Sequence, residues 1–201
     1  QADQTVLDVI SEALNDMGSR LFLRIREELG LAYYVGTQNF SGLMPGCFSF
    51  YAGTGAGSAS QVEKELIAQA KRLAKEGLTA EEINRAKAKL SGHKKIARQE
   101  LGQVAFSACM DELLGLGFKH SDEEEARVER VTLDEVKEVA NRYFGTDNHV
   151  AVAVVAQADK VVDVGFATVP LVATFREQRD SRDAVPIQLV GQCCHTGAVS
   201  A

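Results

Sequence analysis

The chain has 201 residues, of which 45% are hydrophobic and 25% charged, with a formal net charge of −6. That length supports one well-buried core and falls short of two ordinary domains. The acidic balance, with Lys and Arg interleaved among Asp and Glu along the chain, excludes the concentrated basic face that nucleic acid requires. No apolar run reaches bilayer-spanning length, since the most apolar stretch, residues 150–156, is strand-sized, so a membrane is not an expected partner.

Apolar residues at Leu7, Ile10, Leu14, Met17, Leu21 and Ile25 recur every three or four positions and predict one helical face. Gly18 interrupts that face, and Gly30 is the expected stop, because glycine takes the left-handed conformation at a helix C-terminus without steric cost. Two aromatic-rich runs, 31–37 and 47–53, flank a Gly- and Pro-containing turn at 41–46 and predict an antiparallel hairpin. Helices are then expected near 60–76, 79–98, 100–117, 121–130 and 132–144. Four of them open with Ser or Thr followed three residues later by Glu, the spacing of a capping box: Ser60 with Glu63, Thr79 with Glu82, Ser121 with Glu124, Thr132 with Glu135. Leu78 with Ile83 and Val131 with Val136 add hydrophobic staples to two of these.

The β-branched run 149–155 reads as a buried strand joining the hairpin in one sheet. Beyond Gln157 the periodicity decays, and 176–183 alternates charges without an apolar stripe. The expected fold is therefore α+β, a small, mostly antiparallel sheet with helices packed on one face. Residues 1–156 form the domain, and 157–201 form an atypical, poorly ordered or loosely packed tail.

Most routes to catalysis are closed by the residues themselves. Neither H-E-x-x-H nor H-x-x-E-H occurs, and His93, His120 and His149 lack a helical His partner, so no metal is expected on this chain. Cys47 and Cys109 read as buried apolar residues, while Cys193, Cys194 and His195 form a soft cluster without a second pair of ligands. The loop from Gly53 to Ser58 lies where a nucleotide-binding glycine loop would lie. Its third glycine comes one residue early and no Gly-Lys-Ser or Gly-Lys-Thr follows, so a strand-to-helix connector is expected and no cofactor. No G-x-S-x-G elbow is present.

What remains is the string Ser19-Arg20-Leu21-Phe22 followed by Arg26-Glu27-Glu28-Leu29-Gly30-Leu31-Ala32-Tyr33. By itself it reads as an amphipathic helix running into an aromatic strand. It also resembles the second, non-zinc half of pitrilysin/insulinase-type zinc metallopeptidases, the inverzincins that include mitochondrial processing peptidases. Further similar motifs follow in order: the hairpin ending Phe50-Tyr51-Ala52-Gly53-Thr54, Gly77-Leu78-Thr79-Ala80-Glu81-Glu82-Ile83, and Val131-Thr132-Leu133-Asp134-Glu135-Val136. The resemblance runs from about residue 5 to 156.

The resemblance implies half of a peptidase clamshell. Its arginine and tyrosine, seven residues apart, act on the substrate across from a zinc held by the other half. Arg26 and Tyr33 match that spacing, with Arg24 and Tyr34 adjacent to them. The implied partners are a zinc-bearing H-x-x-E-H half, in the same chain or another, and an extended peptide, for which the hairpin could offer a pairing edge. The implied cofactor is zinc in the partner half, with none bound here, and this chain alone would be inactive. Domains of this type begin with a strand or two before the first helix, so the sheet here is expected to be short of its first strand. A noncatalytic structural or assembly subunit of the same fold, like the respiratory core proteins, is the alternative. Compartment is unread, periplasm or cytoplasm fitting equally.

Overall fold

The computed structural model describes residues 3–41, 46–146 and 149–153, and the backbone of 184–190. The turn at 42–45, the charged run 176–183 and the cluster of Cys193, Cys194 and His195 lie outside the described residues.

Helix α1 spans Gln4–Leu14 and buries Val6, Leu7, Val9, Ile10, Ala13 and Leu14, the stripe set by its apolar spacing. The chain turns through Asn15 to Ser19, with Gly18 in that turn, and resumes as a π-helix over Phe22–Glu28. Strand β1 (Tyr34–Phe40) pairs antiparallel with β2 (Cys47–Gly55), so the expected hairpin is present. The helices that follow are α2 (Ala59–Glu76), α3 (Ala80–Ala97), α4 (Leu101–Leu113), α5 (Glu124–Arg130) and α6 (Leu133–Phe144).

Strand β3 (Val150–Ala153) belongs to the same sheet as the hairpin, but it does not touch β2. Strand β4 (Ala184–Val190), from the segment with no legible periodicity, lies between them, giving an antiparallel order β1-β2-β4-β3. The fold is α+β, with α1 and α2 against the sheet and α6 packed on α2. Phe48 and Phe50, two residues apart and thus on one face of β2, meet Phe144 of α6 edge-on with ring centres 4.9 and 5.6 Å apart. That cluster joins Val62 and Leu66 of α2 and Val136 and Ala140 of α6 in the core.

Of the four capping boxes expected, two form. Thr79 accepts from the Glu82 amide and Glu82 returns a carboxylate to the Thr79 N–H, and Thr132 and Glu135 do the same. Ser60 lies one residue inside α2, and Ser121 lies within a 3-10 turn, so neither caps. The two that form are the two with a staple, in which apolar contact fixes the entry of the chain.

Helix α4 ends four residues short of the expected boundary, because Gly115 and Gly117 adopt positive φ of 72° and 85°. It is nearly all exposed, and Cys109 on it is exposed and not buried, while Cys47 is half-buried. Apolar composition alone does not bury a helix whose apolar residues are spread around its axis. Among the described residues no helix is long and apolar enough to cross a membrane.

Candidate functional site: an arginine stacked on an exposed tyrosine

Ser19 begins the segment that carries the candidate residues. It is fully buried, and its hydroxyl accepts from the Phe22 amide at 3.2 Å, the arrangement of an N-cap. Leu21 and Ile25, one turn apart, are also fully buried and seat the π-helix in the core. The wider turn of a π-helix is common at functional sites. Here it carries through to the C-terminus, where Leu29 N–H bonds Arg24 O at 3.2 Å and Leu31 N–H reaches Ile25 O at 3.0 Å. Gly30, at φ +61°, makes the reversal that the sequence assigns to it.

From that reversal the chain enters the sheet. The Tyr33 amide donates to Gly53 O at 2.9 Å, and the Thr54 hydroxyl bonds Leu31 O. A Cβ on Gly53 would collide with the Tyr34 ring, so a side chain there would displace that ring, which also tilts against Tyr51 with centres 6.2 Å apart. Tyr34 thus lies against the sheet and is 40% exposed, whereas Tyr33 is 77% exposed.

The arginines of this segment divide in the same way. Arg20 forms a two-point pair with Glu82 (2.9 and 2.5 Å), and Arg24 pairs with Glu28 at 2.9 Å and Glu65 at 3.4 Å. Arg26 donates no hydrogen bond among the described residues. Its ion partner is Glu27 at 3.7 Å, and its guanidinium carbon lies 5.3 Å from the centre of the Tyr33 ring and 4.8 Å from that of Phe22. The structure therefore brings Arg26 and Tyr33 together at the surface, while Arg24 pairs with Glu28 and Glu65 and the Tyr34 ring lies against Gly53 and Tyr51. Phe22 is the residue that sequence reasoning passed over. Its signal was its position four residues before Arg26, which places the two side chains on one helical face.

The outer edge of β1 is not a free peptide-binding edge at its centre. The Asn15 side chain donates to Thr37 O and accepts from the Thr37 amide, both at 2.7 Å, taking the two backbone groups an added strand would use. The glycine loop after β2 is a short connector: a 3-10 turn over Ala56–Ser58 leads straight into α2. Among the described residues no group of three or more His, Cys, Asp or Glu could hold a metal ion.

Residues 1–90 match the family model for the peptidase M16 inactive domain. An uncharacterized zinc protease of Streptomyces coelicolor is 32% identical over 140 residues, covering 69% of this chain and 30% of that protein. One from Bacillus subtilis is 29% identical over 131 residues, covering 65% and 32%. The chain thus spans about a third of the length of these relatives. In solved structures the fold recurs in the inactive peptidase domain from Bordetella parapertussis, with TM-score 0.65, 23% identity, and 72% of this chain and 79% of that one covered. It recurs too in the peptidase M16 inactive domain from Pseudomonas fluorescens, at TM-score 0.60, 21% identity, and 70% and 34% coverage. Below 25% identity these structures establish the fold alone. Motifs, family model and fold agree in likening this chain, through residues 1–90, to the peptidase M16 inactive domain.

Proposed function

We propose that this chain is the substrate-binding, transition-state-stabilising half of a zinc metalloendopeptidase, with Arg26 and Tyr33 binding the scissile carbonyl. The zinc belongs to a partner half bearing an H-x-x-E-H helix, linked in the same chain or separate, and supplies the activated water. This chain supplies hydrogen-bond donors. As the attacked carbonyl becomes an oxyanion, the Tyr33 phenol O–H and the Arg26 guanidinium N–H groups donate to it, and a guanidinium is charged at any working pH.

The observation that carries this reading is the contact of Arg26 with Tyr33: a cation with no hydrogen-bond acceptor among the described residues, against a tyrosine that is 77% exposed. Donors already satisfied within the fold would have to break bonds before reaching substrate, and these do not. Exposure supports the requirement for a second half, because donors act most strongly in a site closed to water.

The test mixes this chain with an H-x-x-E-H half and follows an internally quenched peptide. Neither half alone hydrolyses it, the mixture does, and Arg26→Ala lowers kcat in the mixture by about 10²–10³. Unchanged kcat in Arg26→Ala would point to the noncatalytic assembly role.

A further inference from the structure

Two aromatic rings from different elements converge on one cation. Phe22 at the start of the π-helix and Tyr33 beyond its reversal place their centres 4.8 and 5.3 Å from the Arg26 guanidinium carbon, inside the range of a cation–π contact. We propose that Phe22 is the positioning residue of this site, holding the Arg26 guanidinium against Tyr33. The inference rests on the carbonyl-binding reading above.

The backbone that carries Phe22 is fixed independently of Arg26. Its amide bonds the buried Ser19 hydroxyl, and its neighbour Leu21 is fully buried. Among the described residues the Arg26 guanidinium has no hydrogen-bonded anchor, since Glu27 at 3.7 Å is beyond hydrogen-bond distance. An arginine held only by its backbone would sample many rotamers and lose entropy on meeting substrate.

The chemistry of the anchor matters. Arg20 and Arg24 are held by carboxylates, which neutralise the cation and occupy its N–H groups. An aromatic face attracts the cation through its quadrupole without accepting a strong hydrogen bond, so charge and donors both stay available for an oxyanion. Of the three arginines in this segment, the one set against rings, with only the longer ion pair to Glu27 at 3.7 Å, is the one matching the substrate-contacting position.

The experiment is a double-mutant cycle in the reconstituted mixture with the quenched peptide. Phe22→Leu keeps an apolar side chain and removes the ring face. It is expected to lower kcat about two- to fivefold with KM little changed. Phe22→Tyr restores the rate, and Phe22→Leu has no further effect once Arg26 is alanine. Thermal unfolding of each variant confirms an intact fold, with Phe22→Met as the second aliphatic replacement. Loss of kcat by the same factor in both backgrounds would overturn the proposal, because Phe22 would then act on the fold and not through Arg26. So would an unchanged kcat in Phe22→Leu and Phe22→Met. If Arg26→Ala itself leaves kcat unchanged, the carbonyl-binding reading fails and this inference fails with it. A loss in Arg26→Ala with none in the Phe22 variants removes this inference alone.

Discussion

Arg20 and Glu82, 62 residues apart in sequence, meet in a two-point ion pair of 2.9 and 2.5 Å with both side chains almost wholly covered. Glu82 uses the same carboxylate to cap α3 at the Thr79 amide, 2.7 Å away. One side chain therefore ties the start of the Arg26-bearing segment to a helix of the core. Arg20→Ala removes two charge-assisted bonds and leaves Glu82 in a site made for a partner. It is expected to cost about 1.5–3 kcal/mol in urea unfolding.

The same pair sets a pH dependence. Burial pushes the Glu82 carboxyl up, but the Arg20 guanidinium and the Thr79 bonds outweigh it and hold the group below its ordinary value of 4.5. A folded-state value that is depressed contributes stability above the unfolded value and loses it as pH falls through the folded one. The stability advantage over Glu82→Gln is expected to be full near neutrality and to shrink below about pH 4.5. Unfolding midpoints across that range measure it, and an advantage that persists in acid contradicts the assignment.

The caps give a contrast between residues that look alike in sequence. Thr79→Ala and Thr132→Ala each lose a realised cap and should destabilise by about 1 kcal/mol. Ser60→Ala removes a hydroxyl that caps nothing and should stay within about 0.5 kcal/mol. Denaturant titration of the three variants distinguishes them.

Asn15 holds the edge of the sheet through the Thr37 backbone. Asn15→Ala leaves both groups to water or without partners. The expected result is a loss of about 1–3 kcal/mol and faster hydrogen exchange at the Thr37 amide than at Phe50, its partner in register on β2.

Local signals were legible where one stretch of chain carries all the physics. The α1 stripe, the stop at Gly30, the hairpin and the two stapled caps are each specified within a few residues. Strand β4 was not legible, because it pairs with Ser49 to Gly55, more than a hundred residues earlier, as well as with Val150 to Ala153, and pairing is set by distant neighbours. The Asn15 bond to Thr37 and the Arg20 pair with Glu82 are likewise tertiary. At the site, the spacing identified Arg26 and Tyr33 only through resemblance, and Arg24 and Tyr34 could not be set aside by sequence. The structure distinguishes their surroundings: Arg24 pairs with Glu28 and Glu65, and the Tyr34 ring lies against Gly53 and Tyr51.

The most direct measurement is kcat for Tyr33→Phe in the reconstituted peptidase, since that change deletes one oxygen from an exposed ring and leaves the Arg26 stack in place. A fall of about 10²–10³ in kcat, with KM and unfolding midpoint nearly unchanged, is the predicted result. Hydrolysis at the unaltered rate would contradict the role assigned to the phenol, and with it the account of this chain as the oxyanion-stabilising half.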